Sequence, residues 1–116
     1  MSELAKLFEN EAVRNFGRVL RNMIRPPIDN KTKKEKWSPD YSSLVELEYV
    51  EKSEDFVDVI KRLLRRYETI ARKHNLRRVS EKDLEELVKL VDEYGVKLVR
   101  SALISYALVK GGEENE

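Results

Sequence analysis

Residues 84–109, with the sequence LEELVKLVDEYGVKLVRSALISYALV, decide the fold class of this 116-residue chain. Their apolar positions recur in steps of three and four without a break in phase, which is the spacing of one face of an α-helix. The pattern predicts a single helix of about 30 residues from Ser80, roughly 45 Å long. From Leu98 to Val109 nearly every side is apolar, so we expect this part to be the buried centre of a bundle or a subunit contact.

The N-terminal segment, residues 4–24, has the same helical period. Its helix is predicted to end before Pro26 and Pro27, because proline cannot continue a helix. Asn10 is expected to divide the segment into a short first helix and a main one. Gly17 lies on the apolar stripe, as Gly95 does in the last helix, and each is expected to allow close approach of a neighbouring helix. The alternative is that each glycine is only tolerated, although it destabilises its helix by about 1 kcal/mol relative to alanine.

The middle of the chain is predicted to hold a long loop and two helices. Residues 26–42 contain all three prolines and a lysine-rich run, which indicates a loop. Residues 43–51 fit a short helix with a capping box that starts at Ser43, although their alternation also fits a strand. No second strand is available to pair with it, so helix is favoured. A further helix is predicted from Ser53, as N-cap, to residues 74–75.

The whole chain is therefore predicted to be a single all-α domain, a small helical bundle over residues 1–110, followed by a disordered acidic tail at 111–116. It has no cysteine, which excludes disulfides and thiolate metal sites. It has one histidine, His74, which excludes any site that needs two histidines. No cofactor, metal or catalytic site is expected, and no apolar run reaches the ~20 residues of a membrane span. The absence of glutamine and cysteine and the dense surface charge predict a thermophilic source and a cytoplasmic protein.

The net charge of +1 hides strong segregation along the chain. Residues 12–36 carry a net charge of +6 and residues 59–78 carry +7. Residues 37–58 carry −6 and residues 79–95 carry −4. A partner would meet these local fields rather than the whole-chain charge. Complementary segments also lead us to expect weak self-association of the isolated protein.

Four arginines of the first helix, spaced 4, 3 and 4 residues apart, are predicted to form a row on one face that points into water. Successive members would stand about 5–6 Å apart, which suits contact with successive phosphates of one strand. This arginine row consists of Arg14, Arg18, Arg21 and Arg25. The alternative is that the row binds no phosphate, and either only faces solvent or pairs with Glu46, Glu48 and Glu51.

A second basic cluster is predicted on the helix that begins near Ser53, with a broad face suited to bidentate phosphate contacts. This α4 cluster comprises Lys61, Arg62, Arg65, Arg66, Arg72 and Lys73, followed by Arg77 and Arg78. Lys33 and Lys34 of the loop are further candidates for nucleic-acid binding. Trp37 beside them could stack a base, but a lone loop tryptophan more often anchors its loop. His74 is expected to have a structural role.

Two stretches, EAVRNFG at 11–17 and YGVKLVRSALISYALV at 94–109, resemble the small subunit of the archaeal type I-A Cascade complex of CRISPR defence. The resemblance implies a non-enzymatic subunit that, with further copies of itself and other effector subunits, supports the R-loop formed by crRNA and target DNA or its displaced strand. It does not say which strand is contacted or how many copies assemble. Small subunits of type III complexes are similar basic bundles.

Two other functions remain open on the sequence. A helical DNA-binding regulator would need a recognition helix after a short turn that usually contains glycine. The connection at residues 75–79 has no glycine and the next helix opens with acidic residues, which disfavours the regulator. A protein-interaction module without nucleic acid would use the apolar last helix as its interface.

Overall fold

The computed structural model describes residues 2–110, in which helices follow one another from end to end. In this part of the chain no strand forms, and the only sheet-like pairing is an isolated antiparallel bridge between Ile28 and Glu35. The predicted all-α class is confirmed. The acidic tail expected at 111–116 lies outside the described residues. The helices are α1 (Glu3–Glu9), α2 (Glu11–Ile24), α3 (Ser42–Tyr49), α4 (Ser53–His74), α5 (Glu81–Tyr94) and α6 (Val96–Ser105), and α6 continues into a π-helical turn (Tyr106–Lys110).

Side-chain caps begin three of the helices. The Ser2 hydroxyl accepts a hydrogen bond from the Ala5 amide and begins α1. The Asn10 side chain accepts from two amides and begins α2, which confirms the predicted division at this residue. Ser80 accepts from the Asp83 amide and begins α5, as predicted. These caps satisfy amides that the first turn of a helix leaves without partners.

Two predicted caps are wrong. Ser53 is not the N-cap of α4: it is the first helical residue, and Lys52 precedes it without a side-chain hydrogen bond. The capping box at Ser43 does not form either, although the predicted helix does. Helix α3 begins one residue earlier, and the buried Ser43 hydroxyl accepts a hydrogen bond from Arg66. The side chains that would make the box are thus used in packing α3 on α4.

Gly95 divides the predicted long helix into two helices, so the prediction of a single continuous helix is wrong. Its φ of +89° lies where L side chains are strained, and it separates α5 from α6. Nothing lies within 4 Å of a Cβ built at Gly95, so the expected close approach of another helix is also wrong there. The apolar period does not reveal the break because both helices bury their stripes in the same core.

Gly17 does mark a close approach, between α2 and the π-helical turn. A Cβ at Gly17 would lie 2.5 Å from Tyr106 Cδ1, a distance that no side chain could occupy without a shift. The ring of Tyr106, itself 1% exposed, therefore packs directly on the α2 backbone. The close approach predicted at Gly17 is thus confirmed, and the neighbour that makes it is Tyr106.

The last helix, α6 with the π-helical turn, has a central position in the bundle, as predicted, but it shares that position with α2, which contacts all five other helices and the turn. This segment contacts α1, α2, α3 and α5, and its side chains are buried from Val99 through Ala107 on the inward faces. Arg100, one of its few polar residues, donates a hydrogen bond to the Val50 carbonyl beyond α3. Leu108 and Val109, in contrast, are 40% and 61% exposed.

Candidate nucleic-acid interface

Three arginines of the row lie on α2 and Arg25 is its C-cap residue, and the environments of the four differ. Arg14 and Arg25 are exposed, whereas Arg18 and Arg21 are half-buried. The prediction that the whole row points into water is therefore wrong for its two central members. The physical reason is that α2 packs against the five other helices and the π-helical turn and keeps little of its circumference for solvent.

The N-terminal half of the row is held by hydrogen bonds to uncharged oxygen atoms. Arg14 Nε donates to the Phe8 carbonyl oxygen at 3.2 Å. Arg18 Nη1 donates to Asn15 Oδ1 at 3.2 Å, and Asn15 Nδ2 in turn donates to Asp83 Oδ2 at 2.9 Å. The amide of Asn15 thus orients Arg18 and links α2 to the first turn of α5.

The C-terminal half of the row lies against the end of the last helix. Arg25 Nη1 donates to the Leu108 carbonyl oxygen at 3.3 Å, and Arg21 Nη1 donates to the Arg25 carbonyl oxygen at 3.2 Å. Burial and the charge of Arg25 lower the pKa of Arg21, and its Nε has no hydrogen-bond partner within residues 2–110. In that part of the chain Arg14, Arg21 and Arg25 form no ion pair with a carboxylate. The positive charge of this half of the row is not neutralised by a carboxylate of residues 2–110, so the row favours the binding of an anion.

The α4 cluster is divided by a carboxylate of α3. Glu46 Oε2 accepts from Arg62 Nη2 at 2.5 Å and from Arg62 Nε at 3.0 Å. Glu46 Oε1 accepts from Arg66 Nη1 at 3.1 Å. Hydrogen bonding by Arg62, followed by Arg66, holds the pKa of Glu46 below its usual value. Both arginines thus serve to dock α3 on α4, and the alternative, pairing of the arginine row with Glu46, is not found among the ion pairs of residues 2–110.

The C-terminal half of the α4 cluster retains an excess of positive charge. Glu68 Oε1 lies 3.1 Å from Arg72 Nη2 and 3.5 Å from Arg78 Nη1, so two arginines share one carboxylate. Such exposed pairs contribute little to stability. The other cations of this surface are exposed: Lys61, Arg65, Lys73 and Arg77.

The loop after α2 presents its lysines on a short ordered turn. Asp29 Oδ1 accepts hydrogen bonds from the Lys31 and Thr32 amides, at 2.8 and 3.2 Å, and these bonds lower the pKa of Asp29. Lys33 adopts a left-handed conformation with a φ of 62°. Lys33 and Lys34 are both exposed. The predicted loop lysines are therefore held at the tip of a turn and remain accessible.

Trp37 anchors this loop to the bundle. Its indole Nε1 donates to the Asn22 carbonyl oxygen on α2 at 2.9 Å. Its ring centroid lies 4.9 Å from that of His74, with the planes inclined by 51°. The structure thus confirms the anchoring alternative for Trp37 and the structural role for His74, and it leaves the indole N–H engaged within the protein.

A pocket of about 200 Å³ lies beside the row, where α2 meets the end of α4 and the connection to α5. The Tyr67 hydroxyl, in its wall, donates to the Arg77 carbonyl oxygen at 3.2 Å. Burial raises the pKa of Tyr67, while a hydrogen bond from the Asn22 side chain acts in the opposite direction. The sequence analysis missed this pocket. Asn22, a buried polar residue among the apolar positions of α2, was the signal available.

An acidic face covers α3 and the first turns of α4. Three apolar side chains four residues apart, Tyr41, Val45 and Tyr49, are between 50% and 78% exposed along α3. Beside them a groove of about 410 Å³ is lined in part by carboxylates. The exposed carboxylates of this acidic face are Glu48, Glu51, Glu54, Asp55 and Asp58.

Comparison with known proteins finds an archaeal relative. The chain is 55% identical over 122 aligned residues to an uncharacterized protein of Archaeoglobus fulgidus, and the alignment covers 100% of this chain and 92% of the relative. The chain belongs to the family of this archaeal protein. No family model matches the chain, and no solved structure matches it. The relative has no assigned activity, so the function is argued from geometry.

Residues 2–110 contain neither a candidate metal site nor a candidate membrane-spanning helix. No group of three His, Asp or Glu side chains in this range could hold a metal ion. No helix in the same range combines the length and the apolar character needed to cross a membrane.

Proposed function

We propose that this protein is a non-catalytic nucleic-acid-binding subunit, and specifically the small subunit of a cytoplasmic CRISPR RNA-guided interference complex. The observation that carries the proposal is that Arg14, Arg21 and Arg25 of the row form no ion pair within residues 2–110, whereas Arg62 and Arg66 of α4 share the carboxylate of Glu46. The narrower assignment is supported by the resemblance of residues 11–17 and 94–109 to type I-A Cascade small subunits.

The row acts on nucleic acid through its phosphates. Guanidinium groups bind phosphate oxygens in bidentate geometry, and successive members of the row match successive phosphates of one strand. Contacts of this kind carry no sequence information and release counterions. Lys33 and Lys34 on the loop and Lys61 and Arg65 on α4 are exposed and add further positive charge to the surface of the protein. Binding by one copy is therefore weak and independent of sequence.

The same protein contacts neighbouring subunits in this proposal. Its acidic face has exposed tyrosines and carboxylates on a surface that nucleic acid would avoid. A basic partner, either another effector subunit or a further copy of this chain, fits that face by charge. Weak contacts with the nucleic acid then add through the effective concentration that the assembly provides.

Salt dependence of binding tests the row directly. Arg14 and Arg25 are exposed, so replacing both by alanine should leave the fold intact. The plot of log affinity against log salt should become shallower: the magnitude of its negative slope should decrease by roughly 1.4 to 1.8, at ~0.7–0.9 per lost phosphate contact. The matched control is the double replacement Lys89→Ala and Lys97→Ala, which removes the same charge from exposed positions of α5 and α6. Filter binding of a mixed single strand measures both variants.

Equal slopes for the two double variants would mean that the row is only a solvated face. Sequence-specific binding to a duplex would instead support a regulator. Absence of binding at low salt would support a protein-interaction module. The narrower assignment is tested separately by affinity purification of the tagged protein from its native cells: co-purification of crRNA with CRISPR effector subunits supports it, and their absence opposes it.

A further inference from the structure

The pocket beside the row has the size and lining of a site for one small, partly apolar group. Its lining includes the apolar side chains of Val19, Leu76 and Val79. Leu76 and Val79 are only partly buried, since they belong to the connection between α4 and α5. At about 200 Å³, the pocket is below the usual range for drug-sized ligands but leaves room for a smaller planar ring.

The polar groups of the pocket are held in place by a chain of hydrogen bonds. Asn22 and Tyr67 are 7% and 5% exposed, and their side chains are hydrogen-bonded to each other. The Tyr67 hydroxyl donates to the Arg77 carbonyl oxygen, and the Asn22 carbonyl oxygen accepts from Trp37. The bonds of Tyr67 with Asn22 and with the Arg77 carbonyl hold these two side chains in place before any ligand arrives, whereas the bond from Trp37 goes to the main chain of Asn22.

Positive charge surrounds the opening. Arg77 and Arg78 line the pocket and are exposed, so their guanidinium groups lie near its mouth. Arg18 lines it from α2 and is oriented by Asn15. The lining has three arginines and no carboxylate. Next to it, Asp83 accepts a hydrogen bond from Asn15, and Glu68 is shared between Arg72 and Arg78.

We infer that this pocket receives one unstacked base of a single-stranded nucleic acid, while the arginines at its mouth hold the flanking phosphates. Bases of single strands are recognised by apolar and aromatic walls, by guanidinium planes and by hydrogen bonds to their edges. Arg18 belongs both to the row and to the pocket, so a strand that follows α2 passes the opening. The inference rests on the proposed nucleic-acid function and adds single-strand preference to it.

An abasic strand tests the inference without any change to the protein. Oligothymidylate and a strand of the same length made of abasic residues carry the same phosphates, but only the first has bases. The full chain should bind the abasic strand at least about fivefold more weakly, as expected when one base loses its contacts. Equal affinity for both strands would overturn the inference and leave the proposed phosphate binding intact. Binding to neither strand at low salt would overturn both.

A pocket-filling variant locates the effect. Val79→Trp should fill the pocket without a change of charge and reduce oligothymidylate affinity to that of the abasic strand, while affinity for the abasic strand stays unchanged. Val45→Trp, the same exchange at a half-exposed position on the acidic face, is the matched control and should have no effect. Circular dichroism verifies that both variants are folded. Loss of affinity for both strands, or equal behaviour of the two variants, would oppose the base pocket.

Discussion

The two basic helices, α2 and α4, have similar charge in the sequence but use it differently. Two arginines of α4 are bound to Glu46, and Arg72 shares Glu68 with Arg78. The described bonds of the α2 row instead go to main-chain carbonyls and one amide. The supports differ as well, since α2 rests on the last helix and α4 on α3. A count of cations on a helical wheel therefore does not show which cations a ligand can reach.

The largest effect is expected where the last helix supports α2. Leu103, which is 1% exposed, lies in α6, so Leu103→Ala should lower the free energy of unfolding by about 2–5 kcal/mol. Leu108→Ala makes the same exchange at a side chain that is 40% exposed and should cost clearly less. Denaturant unfolding measures both variants. Equal losses would contradict the central position of α6.

The contact between α2 and the π-helical turn is tested by Gly17→Ala. The new methyl would lie 2.5 Å from Tyr106 Cδ1, and overpacking of this kind costs about 1–3 kcal/mol. In a Tyr106→Ala background the same exchange should cost much less, because the clashing ring is absent. A double-mutant cycle by thermal unfolding measures the coupling, and additive losses would show that Tyr106 does not limit the space at Gly17.

The junction of α3 and α4 should show a specific pH dependence through Glu46. Because Arg62 and Arg66 lower its pKa in the folded state, its contribution is complete above the ordinary value of 4.5 and disappears as the pH falls through the lower folded value. Glu46→Gln should cost about 1–2 kcal/mol at neutral pH, and wild type and variant should converge in acid. A difference in stability that stays constant down to strongly acidic pH would oppose this.

The smallest effect is expected from Glu68→Gln, which would make α4 resemble α2. The change leaves Arg72 and Arg78 without their shared carboxylate. Stability should change by less than about 1 kcal/mol, because the pairs are exposed. Affinity for a single strand should rise about two- to threefold. Glu85→Gln on α5 is the control, and an equal rise in that variant would mean that only the overall charge matters.

The sequence predicted most of the helices because capping residues and prolines act locally. Asn10 and Ser80 begin helices as expected, and α2 ends before Pro26. Gly95 was misjudged because the apolar period continues across it, and only its positive φ reveals the break. Local patterns therefore predict where helices begin more reliably than they predict whether a long one is continuous.

The candidate site was less predictable because it depends on contacts between distant segments. Burial of Arg18 and Arg21 follows from how many elements surround α2. The division of the α4 cluster follows from the position of Glu46, which is 16 residues from Arg62 along the chain. The pocket joins α2 to residues at least 45 positions later in the chain, and no sequence motif indicates it.

The anchoring of the loop by Trp37 gives the molecule a spectroscopic reporter of its own. It is the only tryptophan in the chain, so selective excitation of indole emission observes a single position. That position touches α2 through the Asn22 carbonyl and the end of α4 through His74. Because Asn22 also lines the pocket, one emission spectrum follows both release of the loop and events in the pocket, without any added dye.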